Sequence, residues 1–304
     1  MANLLLIFIC LLLGILMQKI SIFPKNTSIV LNQYVLFIAL PAMALYYLPN
    51  LQLEWQLIFP ASVAWITFAL AFVFFTLLGK MFNWSKRLIG CLTLTAGLGN
   101  TSFVGIPIIQ AIYGDEGIKT LIVIDLPGTF VTMSTVGLIV ATLHTSQKNE
   151  SESIVRKIFS FPPLLAFIIG VSMAILKIEF PSALSESFQK IGVTLSPIAL
   201  ISVGFQLKLK LYGKHFRHLA LGLLFKLILV PCVIFVLFRV GFGKTDLATQ
   251  VCIVEAAMPP MITGAIIAQK YGLKPELSSM MVGYGIPISF LTIALWYALL
   301  TYCF

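Results

Sequence analysis

Ten long apolar stretches, separated by short polar loops, constrain the fold of this chain more than any other feature. Each stretch has roughly the 20 residues that a helix needs to cross the hydrocarbon core of a bilayer. Only 10% of the residues are charged and 59% are hydrophobic, which excludes an ordinary soluble surface. We therefore expect an all-α membrane protein with ten transmembrane helices, at residues 2–17, 28–48, 55–78, 88–113, 118–143, 161–176, 184–207, 219–240, 247–268 and 277–304.

The basic residues predict the orientation of these helices. Fourteen of the 20 basic residues fall in loops after odd-numbered stretches, five fall in loops after even-numbered stretches, and Lys226 lies inside a stretch. Because basic loops stay in the cytoplasm, the bias places both termini outside, in a multi-pass plasma membrane such as the bacterial inner membrane. Basic residues scattered over short loops also argue against a nucleic-acid partner, so the bilayer is the partner that we expect.

The chain divides into two halves of five stretches, residues 1–143 and 161–304, on either side of a polar cytoplasmic linker at residues 144–160. An odd number of spans in each half gives the halves opposite orientations, and inverted repeats are typical of secondary transporters. Similar segments recur in order at offsets of about 156 to 160 residues. The pairs are residues 33–41 with 189–197, 110–114 with 268–272, and 126–130 with 286–290.

The fourth and ninth stretches are unfavourable as continuous helices. The fourth carries glycines between residues 97 and 105 and then Pro107, and the ninth carries Pro259, Pro260 and Gly264. Proline removes a backbone donor and glycine adds chain freedom, so a break within the membrane is expected in both. The alternative is that these prolines only kink packed helices, as we expect for Pro41, Pro60, Pro127, Pro197, Pro231 and Pro287.

Polar residues beside the two breaks predict a binding site. A half-helix that starts within the membrane presents unpaired N–H groups and the positive end of its dipole, which suits a carboxylate. Residues of the N-cap type either satisfy those groups or bind a ligand. The candidate substrate-binding residues are Asn100, Thr101, Ser102, Pro107, Pro259, Pro260 and Thr263.

Three ionisable residues lie inside the apolar stretches, namely Asp125, Lys226 and Glu255. Each costs about 2.5–3.5 kcal/mol at the centre of a membrane helix and therefore needs a partner, a wet cavity or a changed protonation state. Lys226 either extends to the interface or binds the substrate anion. Asp125 either pairs with a cation or caps a neighbouring broken helix. Glu255, just before the second break, either coordinates a coupling ion, carries a proton, or has a structural role.

The residues at both breaks resemble one transporter family. Residues 100–107 followed by Tyr113 and Gly114, together with residues 257–263 followed by Tyr271 and Gly272, resemble the auxin efflux carriers, a family of bacterial membrane transporters distantly related to plant auxin exporters. The resemblance covers essentially the whole chain. It implies the bile-acid:sodium symporter fold, in which two inverted five-helix repeats place broken helices 4 and 9 across each other.

The same resemblance implies a mechanism and a substrate class. Helices 1, 2, 6 and 7 would form a scaffold through which the protein forms a homodimer, and helices 3–5 and 8–10 would form the moving domain of an elevator. Family substrates are organic anions such as auxin, malate or malonate. An acidic residue in the ninth span of the bile-acid symporters contributes to a sodium site, which implies Na⁺ or H⁺ coupling at Glu255, with Asn100 as a second Na⁺ ligand. No other cofactor is expected.

Other classes of function find less support in the sequence. The five cysteines and three histidines form no metal-binding or catalytic motif, so we expect neither a metal centre nor an enzyme. A ligand sensor that keeps a transporter fold without moving solute is one alternative. A Na⁺-coupled organic-anion symporter is the other.

Overall fold

The computed structural model describes residues 2–50, 57–145, 162–206 and 215–303. Within these ranges all longer regular elements are helical, and the one strand-like pairing is an isolated bridge between Gly99 and Pro260. Apart from residues 144 and 145, the predicted cytoplasmic linker at residues 144–160 lies outside the described residues. So do residues 55–56, 161, 207 and 304, which begin or end four of the predicted stretches.

Fifteen α-helices follow one another along the described chain. Those of the first half are α1 (Ala2–Met17), α2 (Thr27–Tyr34), α3 (Leu40–Tyr47), α4 (Ile58–Met81), α5 (Lys86–Ala96), α6 (Ile106–Val123) and α7 (Leu138–His144). Those of the second half are α8 (Pro162–Leu176), α9 (Ser182–Gly192), α10 (Leu195–Gln206), α11 (Phe216–Leu224), α12 (Val230–Phe235), α13 (Leu247–Ala256), α14 (Ile262–Lys270) and α15 (Pro275–Cys303).

Wider, π-helical turns join several of these helices without ending the helical path. They are Val35–Ala39, Thr101–Gly105, Ile124–Phe130, Met133–Gly137, Phe225–Leu229 and Val236–Gly241, and a 3₁₀ turn follows α3 at Leu48–Asn50. Such turns precede Pro41 and Pro231 and contain Pro127, because proline cannot donate to the carbonyl four residues earlier. The expectation of a kink is wrong for Pro60 and Pro197, which lie in the first turns of α4 and α10, where a missing N–H costs little.

Five continuous helical runs among the described residues are long and apolar enough to cross a membrane: Thr27–Asn50, Ile58–Met81, Thr101–His144, Phe216–Gly241 and Pro275–Tyr302. Shorter apolar helices are present at Phe8–Met17, Leu164–Leu176 and Leu247–Ala256. The protein is therefore an all-helical, multi-span membrane protein. The predicted fourth and fifth stretches share the run Thr101–His144, which is interrupted at Gly114 by a left-handed φ of 62°.

The described residues form two compact units. The first unit contains α1, α2, α3, α8, α9 and α10, with the segment Ser102–Ile112. Helix α1 packs along α10 through Gly14 and Gly204, where a methyl group on either glycine would lie only 2.1–2.2 Å from a carbonyl oxygen of the other helix. A buried hydrogen bond of 2.6 Å from Ser202 Oγ to Asn32 Oδ1 joins α10 to α2.

The second unit contains α4, α5, α7 and α11–α15. Helix α5 lies at its centre, where every residue from 88 to 100 is buried, and it packs against α4, α7 and α14. Gly264 of α14 allows the closest approach, because a methyl group there would lie 2.2 Å from the carbonyl oxygen of Leu94 in α5. This backbone contact holds α5 and α14 side by side and so positions the chain that follows α5.

Rows of large apolar side chains lie on the outside of both units. Examples are Leu5 and Phe8 of α1, Leu77 of α4, and Leu291 and Leu295 of α15, which are 56–71% exposed. Exposed apolar surface of this extent is unfavourable in water. It fits a molecule whose outer surface contacts lipid.

Candidate functional site

Two short non-helical segments interrupt the buried helices of the second unit. Helix α5 ends at Ala96, and the first break segment, residues 97–100, leads to the turn Thr101–Gly105. Helix α13 ends at Ala256, and the second break segment, residues 257–261, leads to α14. The glycines of the first segment and the adjacent prolines of the second account for both interruptions. Except for the half-buried Met261, all residues of the two break segments are buried.

The two break segments pair with each other through their main chains. Asn100 donates its backbone N–H to the carbonyl oxygen of Pro259 at 2.8 Å, and Met261 donates to that of Leu98 at 3.1 Å. Gly99 and Pro260 lie opposite each other in this antiparallel bridge. Non-helical backbone within a membrane protein must find such partners, so the pairing explains how two breaks are tolerated.

Lys226 extends into this region from the wide turn Phe225–Leu229. Its side chain is 1% exposed, and its Nζ donates a 2.8 Å hydrogen bond to the carbonyl oxygen of Ala256, the last residue of α13. The last carbonyls of a helix lack helical partners and carry the negative end of its dipole, so an ammonium group is stabilised there. The alternative in which Lys226 extends to the membrane interface is therefore wrong.

Gly99 makes room for this ammonium group. A methyl group on Gly99 would lie 3.2 Å from Lys226 Nζ and 3.2 Å from the carbonyl oxygen of Glu255. Sequence reasoning treated Gly99 only as part of a helix break and missed this close approach. The available signal was a second glycine two residues after Gly97, which a break alone does not require.

A hydrogen bond from α15 holds the turn that carries Lys226. Because residue 231 is proline, the carbonyl oxygen of Leu227 has no N–H donor four residues later. The indole Nε1 of Trp296 in α15 donates to that oxygen at 3.0 Å. This hydrogen bond satisfies the unpaired carbonyl and fixes the turn next to Lys226.

Glu255 lies one residue before Ala256 and is 1% exposed. Neither of its carboxylate oxygens accepts a hydrogen bond from the part of the chain that the structure describes. Its carboxyl group interacts electrostatically with two side chains, favourably with Lys226 and unfavourably with Asp125. A buried carboxylate without hydrogen bonds is costly, so this group is poised to accept a proton or a cation.

Asp125 lies in the wide turn Ile124–Phe130, and its carboxylate contacts the first residue after the first break. Thr101, the first residue of the half-helix that follows the first break, donates a short hydrogen bond from its Oγ1 to Asp125 Oδ1. Both residues are buried, at 3% and 2% exposure. A carboxylate near the N-terminal end of a helix is stabilised by the helix dipole, so this contact favours the capping alternative for Asp125, which stays a prediction.

The remaining predicted site residues are divided between the two units. Pro259 and Pro260 belong to the second break segment, and the buried Thr263 follows in the first turn of α14. Ser102, half-buried, and Pro107, buried, belong to the segment Ser102–Ile112 of the first unit. The second unit therefore brings together Asn100, Thr101, Asp125, Lys226, Glu255, Pro259 and Pro260.

The site's donor groups suit a monovalent cation better than a transition metal. Across the described ranges no three histidine, cysteine, aspartate or glutamate side chains cluster as ligands for a metal ion. The groups that do meet at the end of α13 are a carboxylate and main-chain carbonyls, the oxygen ligands that hard cations prefer.

Comparison with known proteins finds transporters over nearly the whole chain. The sequence model of the membrane transport protein family matches residues 1–297. An uncharacterized transporter of Methanocaldococcus jannaschii is 26% identical over 299 residues, 96% of each chain. Two further relatives match shorter regions. A probable auxin efflux carrier component of Oryza sativa subsp. japonica is 29% identical over 144 residues (45% of this chain, 39% of the relative), and a putative malonate transporter of Rhizobium meliloti is 25% identical over 129 residues (42% and 40%).

Proposed function

Because the chain belongs to the membrane transport protein family, to which auxin efflux carriers also belong, we propose that it is a secondary carrier for a small organic anion. The observation that carries this proposal is the pairing of two broken helices inside the second unit. Interrupted helices that place half-helix ends within the membrane are typical of the substrate sites of secondary transporters.

The half-helix ends favour an anion of the carboxylate type. Helix α14 begins at Ile262 inside the protein, and its N-cap residue Met261 provides no side-chain hydrogen bond. The first N–H groups of α14 and the positive end of its dipole therefore favour a negative ligand. Two relatives are named for auxin and malonate, which are both carboxylates. We propose a mono- or dicarboxylate substrate that binds at Asn100, Thr101, Pro259, Pro260 and Thr263 of the second unit.

The proposed mechanism is an elevator built on two inverted five-helix repeats. The first unit holds the helices of the predicted stretches 1, 2, 6 and 7, and the second holds most of the other six stretches, a division that supports separate scaffold and moving domains. Gly114 and Gly272, which are 158 residues apart, both adopt left-handed φ values, 62° and 67°, and this matching geometry supports the repeat. Homodimerisation through the scaffold is part of the same proposal.

Net flux follows from the charge of the substrate. In a cell with a negative interior, the membrane potential lowers the free energy of an anion that leaves alone by about 2.3 kcal/mol per charge for each 100 mV. Efflux therefore needs no coupled ion. Import would need a driving cation or proton, and Glu255 is the residue that would bind it. A Na⁺-coupled symporter is therefore the alternative within the carrier class.

A thermal-shift screen of the purified protein against mono- and dicarboxylates tests the proposal. Ligand binding to the folded state raises its stability by RT ln(1 + [L]/Kd), which at a hundredfold excess over Kd is about 2.7 kcal/mol. We expect at least one carboxylate to raise the melting temperature of the wild type and of Asn26→Ala, whose asparagine is exposed. Asn100→Ala should melt cooperatively but lose that shift.

Transport in proteoliposomes separates a carrier from a sensor. A carboxylate that stabilises the protein should also be transported. Vesicles loaded with the unlabelled carboxylate should take up the labelled carboxylate from outside by exchange. Binding without accumulation would favour the alternative in which the protein senses a ligand. If no carboxylate shifts a well-folded protein, the proposed substrate class is wrong.

A further inference from the structure

The ammonium group of Lys226 occupies the place where a coupling cation would be expected. Its Nζ lies 2.8 Å from the carbonyl oxygen of Ala256 at the end of α13, next to the pairing of the two break segments. In transporters with interrupted helices, the carbonyl oxygens at half-helix ends coordinate the driving Na⁺ or H⁺. Here a side chain of this protein already supplies the positive charge.

The charges around Lys226 account for an ammonium group at this depth. The carboxylate of Glu255 interacts favourably with it, and Asp125 interacts in turn with Glu255. Both carboxylate oxygens of Glu255 lack hydrogen bonds from the described residues, and Lys226 is the buried cation whose charge acts on this group without an ion-pair contact. A buried charge that is neither paired nor hydrogen-bonded costs several kcal/mol. If the ammonium were removed, the Glu255 carboxylate would therefore be stabilised by binding another cation.

Little space is left beside Nζ on the side of Gly99. Lys226 is 1% exposed, and even a methyl group on Gly99 would lie 3.2 Å from Nζ. An ammonium group and a Na⁺ ion carry the same charge and compete for the same oxygen ligands. Bound to the same carbonyl oxygen, the two cations would repel each other strongly in the protein interior.

We propose that Lys226 is a tethered cation that replaces Na⁺ at the end of α13, so that the protein needs no Na⁺ at this position. The proposal makes Lys226 a positioning residue for the helix break and assigns it no contact with the substrate. Its consequence for transport, Na⁺-independent flux, rests on the function proposed above. The occupancy of the cation site does not rest on that function and can be measured separately.

The test compares melting temperatures of purified protein in NaCl, KCl and choline chloride at equal ionic strength. The wild type should melt at the same temperature in all three salts. Lys226→Ala removes the ammonium but keeps Glu255 and the Ala256 carbonyl. In choline chloride its melting temperature should be lower than that of the wild type. In NaCl, or when methylammonium is added, the melting temperature should rise by about 2–4 °C or more and reach a plateau as the cation concentration increases.

Three control variants separate a cation site from general loosening. Lys226→Met fills most of the same volume without charge and should respond to neither Na⁺ nor methylammonium. Lys226→Ala with Glu255→Gln removes the counter-charge and should lose the recovery. Lys119→Ala, at a side chain that is 70% exposed, should behave as the wild type in every salt.

Two results would overturn the proposal. One is a wild type that Na⁺ stabilises selectively over K⁺ and choline, which remains measurable even if Lys226→Ala fails to fold. The other is a folded Lys226→Ala that neither Na⁺ nor methylammonium stabilises. If the cation responses appear as expected but no carboxylate binds, the tethered cation stands and the proposed substrate class fails.

Discussion

At the scale of single residues, the chain accommodates three ionisable side chains in its interior by giving two of them a specific hydrogen-bond partner. Asp125 accepts from Thr101, and Lys226 donates to Ala256. The sequence identified all three charged residues, because an ionisable group in an apolar stretch is costly and rare. It did not identify their partners. Lys226 and Ala256 are 30 residues apart, and their contact depends on how the helices pack.

The hydrogen bond between Thr101 and Asp125 leads to a prediction about stability. Thr101→Val keeps the shape of the side chain but removes the donor, which leaves a buried carboxylate with one partner fewer. Since hydrogen bonds to charged groups contribute about 1.5–3 kcal/mol, we expect a clear drop in the melting temperature. Thr101→Ser, which keeps the hydroxyl, should melt close to the wild type. Equal melting temperatures for Thr101→Val and the wild type would show that the bond does not stabilise the fold.

At the scale of elements, glycine and proline predicted where the helices break but not what the broken ends contact. Helix α5 ends at Ala96 and α13 at Ala256, next to the glycines and prolines that the sequence marks. The main-chain pairing of Leu98 and Asn100 with Met261 and Pro259 could not be predicted, because backbone hydrogen bonds between distant segments have no side-chain signature. The wide turns beside prolines were likewise missed, since a kink and a π-helical turn require the same residues.

The contact between α5 and α14 can be tested with two glycine variants. Gly264→Ala places a methyl group 2.2 Å from the carbonyl oxygen of Leu94, so the helices must separate. Overpacking of this kind costs about 1–3 kcal/mol, and the melting temperature should fall. Gly283→Ala in α15 adds the same methyl group where, apart from the adjacent backbone of α15 itself, no atom of the described structure lies within 4 Å. It should leave stability unchanged or raise it by up to about 1 kcal/mol, because alanine favours the helix. A Gly264→Ala protein as stable as Gly283→Ala would contradict the packing of α5 on α14.

At the scale of the whole molecule, composition alone predicted a multi-span helical membrane protein, and this prediction is confirmed. The membership of a transporter family, expected from the residues at the two breaks, is confirmed as well. The ten-helix inverted repeat, the moving domain and the orientation stay predictions. They concern the membrane and the relation between two units, which hydropathy constrains only through loop charge and segment length.

Orientation in the membrane can be tested with a matched pair of serines in predicted loops. Ser21 follows the first stretch and Ser182 follows the sixth, and both are exposed. The bias in basic residues predicts that Ser21 faces the cytoplasm and Ser182 the outside. Both variants are made in a cysteine-free protein and expressed in bacteria, which are then converted to spheroplasts. A membrane-impermeant maleimide should label Ser182→Cys in intact spheroplasts. It should label Ser21→Cys only after permeabilisation. The reverse pattern would place both termini in the cytoplasm.

The pairing of the two break segments has a consequence for how proteins of this kind diversify. Peptide groups form it, with Asn100 and Met261 as donors and Pro259 and Leu98 as acceptors, and no substitution other than proline removes a peptide N–H. Side chains that face a ligand can therefore change while the scaffold of the site persists. We expect an engineer who replaces the polar residues beside the breaks to alter substrate preference before losing the fold.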